Sequence, residues 1–256
     1  MLTVLIALYM SAPERGPANA RDPEAILTSL LLFPMPEPPI MRVAWTLQHE
    51  MLFYLVFVLS ILNFRAGAFI FGLWMVGCGA AAASGWKAYP FDFLLSAYNL
   101  LFLFGMGAAV LWRRLSVGQA RLLFWLGLSL FLFTGLSEAY GLVDWTKAVR
   151  TLSFGAGAAA IAAALAGGAL APPRWLTFLG DASYSIYLLH LPAMLVLSSV
   201  LAKFGAPWNV PPILSLIVLT TFSAVAGCWV HVFIEKPVLA RLSSVRRVDA
   251  RPGQQA

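Results

Sequence analysis

Two polar words interrupt an otherwise apolar chain. The first is WTLQHEMLFY, Trp45 to Tyr54, and the second is LGDASYSIYLLHLP, Leu179 to Pro192. Each combines a histidine, a nearby carboxylate and aromatic rings. Helical spacing places Thr46, Glu50 and Tyr54 on one stripe at i, i+4 and i+8, with Trp45, His49 and Phe53 on the neighbouring stripe. A carboxylate at Glu50 can serve as a general base, orient an acceptor hydroxyl, bind a cation, or simply hydrogen-bond to another helix. His49 reads as a packing or interface histidine. In the second word, Gly180 and Asp181 read as the stop of a short interfacial helix and the N-cap of the next one. Ser183, Tyr187 and His190 then share a face at i, i+4 and i+7. His190 can act as a base, a proton relay or a cofactor contact. The same three groups can equally form a hydrogen-bond cluster that only holds helices together.

The elements that carry these words belong in a bilayer. The chain of 256 residues is 61% hydrophobic and 11% charged, against roughly a quarter charged in a soluble domain. Its mean hydropathy is +0.82. A charge at a helix centre in lipid costs about 2.5 to 3.5 kcal/mol on insertion scales, so the polar words are the first place to look for chemistry. Seven apolar stretches are long enough to cross: approximately 45–63, 68–84, 93–112, 122–141, 148–170, 183–201 and 211–235. The expected fold is an all-α polytopic membrane bundle of seven full spans with a short leading helix, Met1 to Met10. Residues 1–242 read as one transmembrane domain, and 243–256 as a basic cytoplasmic tail expected to be disordered. The Pro-rich loop from Ser11 to Ala44 includes an interfacial turn at Ile26 to Phe33.

Ten basic residues fall on the side of Arg113, Arg114 and Arg121, and seven on the other. The first side is therefore placed in the cytoplasm, together with the C-terminus. The net charge of +6 is not a nucleic-acid signal, since several basic residues cluster at span ends and in the tail. Cys78 and Cys228 lie inside apolar spans and read as small buried hydrophobes. There is no metal-ligand spacing and no disulfide framework. His231 and Glu235, at i and i+4, read as a structural pair. Glu138 reads as an interfacial residue with no special role, and Asn99 as an interhelical hydrogen-bond donor. The run FGAGAAAIAAALAGGAL, Phe154 to Leu170, is expected in the middle of the bundle, because small residues allow close helix approach.

WTLQHEMLFYLVF, LGDASYSIYLLH and the closing VFIEKPV together resemble the acyltransferase-3 family. The first word is closest to that of its exopolysaccharide O-acetyltransferases. LLFLFGMGAAVLW is similar to the family's glycine-containing sixth span. The resemblance implies a ten-span bacterial inner-membrane enzyme that moves an acyl group, commonly acetyl, from acyl-CoA to a sugar hydroxyl of an exopolysaccharide or envelope glycan. Acetyl-CoA is then a co-substrate, with no tightly bound cofactor. The partners are the bilayer, acyl-CoA and a glycan or lipid-linked sugar, not nucleic acid. Glu50 is expected to position the acceptor from the outer side, with Trp45 and Tyr54 as substrate contacts. Asp181, Ser183, Tyr187 and His190 are expected to line the cytoplasmic half, where acyl-CoA arrives.

The family also places a catalytic histidine in its first span and an Arg-x-x-Arg word at the start of its third, and neither occurs in this sequence. The seven spans plus the stub match family spans three to ten. The chain is therefore expected to be N-terminally truncated, and to transfer acyl groups poorly or not at all. The base that replaces the first-span histidine is left unassigned. Two other readings compete. A proton-coupled transporter or flippase would use the same intramembrane carboxylates and histidines, although WTLQHE has no repeat counterpart in the second half. A catalytically inactive remnant is the other.

Overall fold

A computed structural model describes residues 22–37, 39–40, 43–86, 88–203 and 211–241, and every regular element among them is helical. The expected leading helix at Met1 to Met10 and the expected tail at 243–256 lie outside the described residues. The chain separates into two compact units, one built from residues 13–171 and one built around the segment from Pro172 onward.

The first unit opens with α1 (Pro23–Leu30), capped by the Asp22 carboxylate on the Glu24 amide. Two long helices follow, α2 (Ala44–Leu62) and α3 (Phe64–Ser84). They are joined by one extended residue, Asn63, whose side chain caps α3 at the Ala66 amide. So short a joint makes α2 and α3 antiparallel neighbours. Gly67 sits against the Ser60 backbone, where a Cβ would not fit. The next span is composite: α4 (Phe91–Leu94), a 3-10 turn (Ala97–Leu100), α5 (Leu101–Leu111) and a 3-10 turn at Trp112–Arg114. A Ser116–Gln119 capping box starts α6 (Val117–Ala139), and Thr146 caps α7 (Lys147–Ala166).

Small residues place α7 at the centre of its unit. Gly157 meets Gly127 of α6 across a backbone approach that a Cβ would block, at 3.0 Å from Gly127 O. On another side, Gly155 leaves room for Leu101 and Phe104 of α5. The central position expected for this glycine- and alanine-rich stretch is thus borne out within the unit, by close packing rather than by any polar contact.

The second unit holds α8 (Arg174–Asp181), α9 (Ser183–Lys203), α10 (Pro212–Val230) and a π turn at His231–Glu235 that continues helically to Arg241. Gly227 of α10 is pressed onto Ile186 of α9, and a Cβ there would lie 2.5 Å from Ile186 Cα.

Seven of these segments are long and apolar enough to span a bilayer: Ala44–Leu62, Phe64–Ser84, Phe91–Arg114, Val117–Ala139, Lys147–Ala166, Ser183–Leu201 and Ile213–Arg241. The burial pattern inverts that of a soluble core. Large apolar side chains such as Leu62, Phe64 and Phe69 face outward, while Asn99, Thr134, Ser137, Ser185 and Ser223 are buried. Lipid is as apolar as leucine, so a membrane bundle keeps its polar and small groups for helix contacts. Ser137 illustrates this by accepting a 2.8 Å hydrogen bond from Trp145 Nε1 and donating to Thr134 O, which pins the loop after α6. The chain is an all-α, multi-pass membrane protein.

Candidate functional site

On α2 the two stripes of the first word have different fates. The stripe of Thr46, Glu50 and Tyr54 is the shallower one: Glu50 is half-buried and Tyr54 is 55% exposed. Among the described residues Glu50 has no hydrogen-bond or ion-pair partner. The neighbouring stripe is the inner one. Phe53 stacks on Phe102 of α5 with ring centroids 4.1 Å apart, and His49 is only 9% exposed.

His49 stands in an aromatic box. The Phe93 ring lies 4.5 Å from it, Tyr98 5.8 Å, and Trp45 meets it edge-on at 5.8 Å. Trp45 also packs edge-on against Tyr98 at 4.7 Å, and the Lys147 ammonium sits 5.5 Å from the centre of the Tyr98 ring. The bottom of the box is Asn99, which is fully buried in the 3-10 turn that precedes α5. Its Nδ2 donates to the carbonyls of Phe93 (3.2 Å) and Leu94 (3.0 Å). Two carbonyl acceptors fix which end of the amide is nitrogen, so Oδ1 faces His49 Nδ1 at 2.8 Å as an acceptor. His49 Nδ1 therefore carries a proton and donates it. Asn99, expected as a donor between helices, is donor and acceptor together.

In the second unit the second word is only partly assembled. Asp181 is the last residue of α8, and Ala182, in αR conformation, lies between it and α9. The expected N-cap role of Asp181 is thus corrected: an N-cap needs an extended residue just outside the helix, and here one helix runs almost directly into the next. Asp181 and Ser183 are both exposed. Tyr187 and His190 do meet. His190 Nδ1 donates to Tyr187 O at 2.6 Å, and their rings lie 5.7 Å apart. Ser223 of α10 donates to His190 O at 3.4 Å.

The tightest polar cluster of this unit involves a residue that the sequence reading passed over. Glu235 Oε2 accepts from Ser185 Oγ at 2.6 Å and from His231 Nδ1 at 2.8 Å. The His231–Glu235 pair was legible at i and i+4, but Ser185 is fifty positions from Glu235 and no local signal links them. His231 is 4% exposed and Phe178 of α8 meets its ring edge-on at 6.0 Å. Among the described residues, its Nε2 is the buried side-chain nitrogen or oxygen without a partner. Glu138, expected at the interface with no special role, pairs with Arg150. No group of three or more His, Cys, Asp or Glu able to hold a metal ion occurs among the described residues.

The family model described as "Acyltransferase domain" matches residues 2–233, and so runs through both polar words. No curated protein and no solved structure matches the chain. A match over nine-tenths of the sequence, on a chain whose apolar segments form membrane-length helices, establishes that this protein belongs to the acyltransferase-3 family.

Proposed function

We propose that this membrane acyltransferase moves an acyl group, acetyl in the first instance, from acyl-CoA to a sugar hydroxyl of an exopolysaccharide or envelope glycan. It would do so in a bacterial inner membrane with its C-terminus in the cytoplasm. The observation that carries the reading is Glu50. It is a half-buried carboxylate on an apolar helix without a partner among the described residues, close in sequence to the exposed rings of Trp45 and Tyr54. A carboxylate between aromatic rings suits a sugar, whose hydroxyls donate to the oxygens and whose C–H faces pack on the rings. The resemblance of the first word to exopolysaccharide O-acetyltransferases supports the same acceptor.

Acyl transfer needs a group that removes the hydroxyl proton as its oxygen attacks the thioester carbonyl, and donors for the oxyanion that develops. Glu50 would orient the acceptor, with Trp45 and Tyr54 as its contacts. Asp181, Ser183, Tyr187 and His190 would meet the acyl-CoA. His190, with Nδ1 spent on a backbone carbonyl, has Nε2 left for a proton. No tightly bound cofactor is required.

The test is transfer of label from acetyl-CoA to polysaccharide in membranes that contain this chain. The expected product is an alkali-labile ester on the glycan. Label in no ester, or only in lipid, would refute the acceptor assignment. Glu50→Gln should raise KM for the acceptor more than it lowers kcat.

A further inference from the structure

We propose that a cavity between α1, the loop after it and the start of α2 binds a second sugar unit of the acceptor glycan, so that the acceptor is an oligo- or polysaccharide and not a single sugar. This rests on the acyltransferase reading above and deepens it. The cavity has a volume of about 270 Å³, and its lining residues belong to the first unit. That volume is just below the range of about 300–1,000 Å³ for drug-sized ligands, and so suits a single ring. Hydrogen bonds frame the cavity. Gln48 Nε2 on α2 donates to Phe33 O at 3.0 Å, Ser29 Oγ on α1 accepts from Ile40 N at 3.1 Å, and the Tyr89 hydroxyl donates to Pro34 O at 3.0 Å. The loop is thereby tied at three points.

Two buried polar residues in the lining carry the argument, Ser29 at 9% and Gln48 at 8% exposed. Each has spent half of its hydrogen-bonding capacity on the loop backbone. Phe33 O can only accept, so the amide end that meets it is Nε2, and Gln48 Oε1 is left as an acceptor without a partner among the described residues. Ser29 Oγ accepts from Ile40, and its proton is left without an acceptor among the described residues. Buried polar groups are seldom left half-used unless a ligand or water completes them. One spare acceptor and one spare donor match a sugar hydroxyl, which both gives and takes a hydrogen bond. Asp22 and Glu24 add carboxylate oxygens at exposed positions, and the exposed Phe33 ring adds an apolar face for sugar C–H groups. The placement agrees. Gln48 follows Trp45 at i+3 on one face of α2, and Trp45 is the ring assigned to the acceptor. Seven spans separate the start of α2 from the C-terminus, so in the proposed topology the cavity lies on the outer side, where a glycan would arrive.

The test uses the full chain in nanodiscs and de-acetylated fragments of the producing strain's exopolysaccharide, separated by size. In titration calorimetry, fragments of two to four units should bind about tenfold tighter than single sugars. Ala25→Leu puts a larger side chain into the cavity and removes no hydrogen bond. It should reduce that gain to about twofold or less. Gln48→Met keeps the volume but drops the spare acceptor, and should act in the same direction if thermal unfolding shows it folded. If fragments bind the parent chain no tighter than single sugars, or not at all, while label from acetyl-CoA still reaches glycan, the second subsite is absent and the acyltransferase reading stands. If the gain survives in folded Ala25→Leu, the second unit binds elsewhere and the proposal is overturned. If no fragment binds and no label is transferred, the wider reading falls and takes the proposal with it.

Discussion

His49 and His231 are both buried histidines on apolar helices, and both donate from Nδ1 to a side-chain oxygen at 2.8 Å. Their surroundings make them different tools. The partner of His49 is a neutral amide anchored on backbone carbonyls, and its walls are aromatic rings. The partner of His231 is a carboxylate that also accepts from Ser185, so one oxygen ties α9 to the last span. Among the described residues, Nε2 of His231 is a buried nitrogen without a partner. A histidine in a membrane helix is therefore not informative by itself. What its second nitrogen can reach decides whether it can exchange a proton or serves to hold helices.

Four substitutions separate these two behaviours. The largest effect is expected from His49→Ala, which leaves Oδ1 of buried Asn99 without its donor and empties the aromatic box, lowering stability by about 3–5 kcal/mol, read as thermal unfolding in detergent. A midpoint equal to the parent's would show that the box around His49 adds nothing to stability. Next is Glu235→Ala, which strands Ser185 Oγ and His231 Nδ1 in a buried place. Each unsatisfied group costs about 1–3 kcal/mol, so the unfolding midpoint should fall well below that of the parent. An unchanged midpoint would show that the cluster does not hold α9 to the last span. Gly227→Ala should follow, because its new Cβ would press on Ile186, the neighbour of Ser185. Forcing that contact should cost about 1–3 kcal/mol, read by the same unfolding assay. If Gly227→Ala and Glu235→Ala are combined, their effects should add to less than their sum, since both loosen one contact. The smallest effect is expected from Ser116→Ala, which removes the capping box of α6, away from both histidines, at about 1 kcal/mol. A loss of transfer per folded molecule in that variant would mean that the acceptor cluster is sensitive to general loosening.

Much of the fold is legible in the sequence because the bilayer imposes a length and a polarity on each segment. Hydropathy alone locates the seven spans, and the small-residue run marks the helix that others approach closely. The i and i+4 spacing of His231 and Glu235 likewise survives folding, since one helix supplies both. The polar words were readable as words but not as sites. Asn99 and His49 are fifty positions apart, as are Ser185 and Glu235. Nothing local tells either pair that it will meet. Helical spacing also offers two adjacent stripes on α2 without saying which one turns inward. Packing against Phe93, Tyr98 and Phe102 draws in His49 and Phe53, while Trp45 keeps an exposed edge, Glu50 is half-buried and Tyr54 is exposed. Asp181 fails for a related reason: its residue type suits a cap, but the chain leaves no extended step between α8 and α9 for a cap to occupy.

The π turn at His231–Glu235 is in effect an α-helical turn with one residue too many. Each residue of an α-helix advances the azimuth by about 100°, so the surplus residue rephases everything that follows it. Before the turn, the last span shows α9 a smooth contact through Gly227; after it, the Lys236 ammonium lies 5.6 Å from the centre of the Phe178 ring of α8. One continuous rod thus addresses two neighbours at two angles. A deletion of a single residue within the turn would leave composition and hydropathy almost untouched. It would nevertheless rotate Lys236, Pro237 and the rest of the helix away from α8. The widened turn works as a phase shifter, and a count of apolar residues cannot register it.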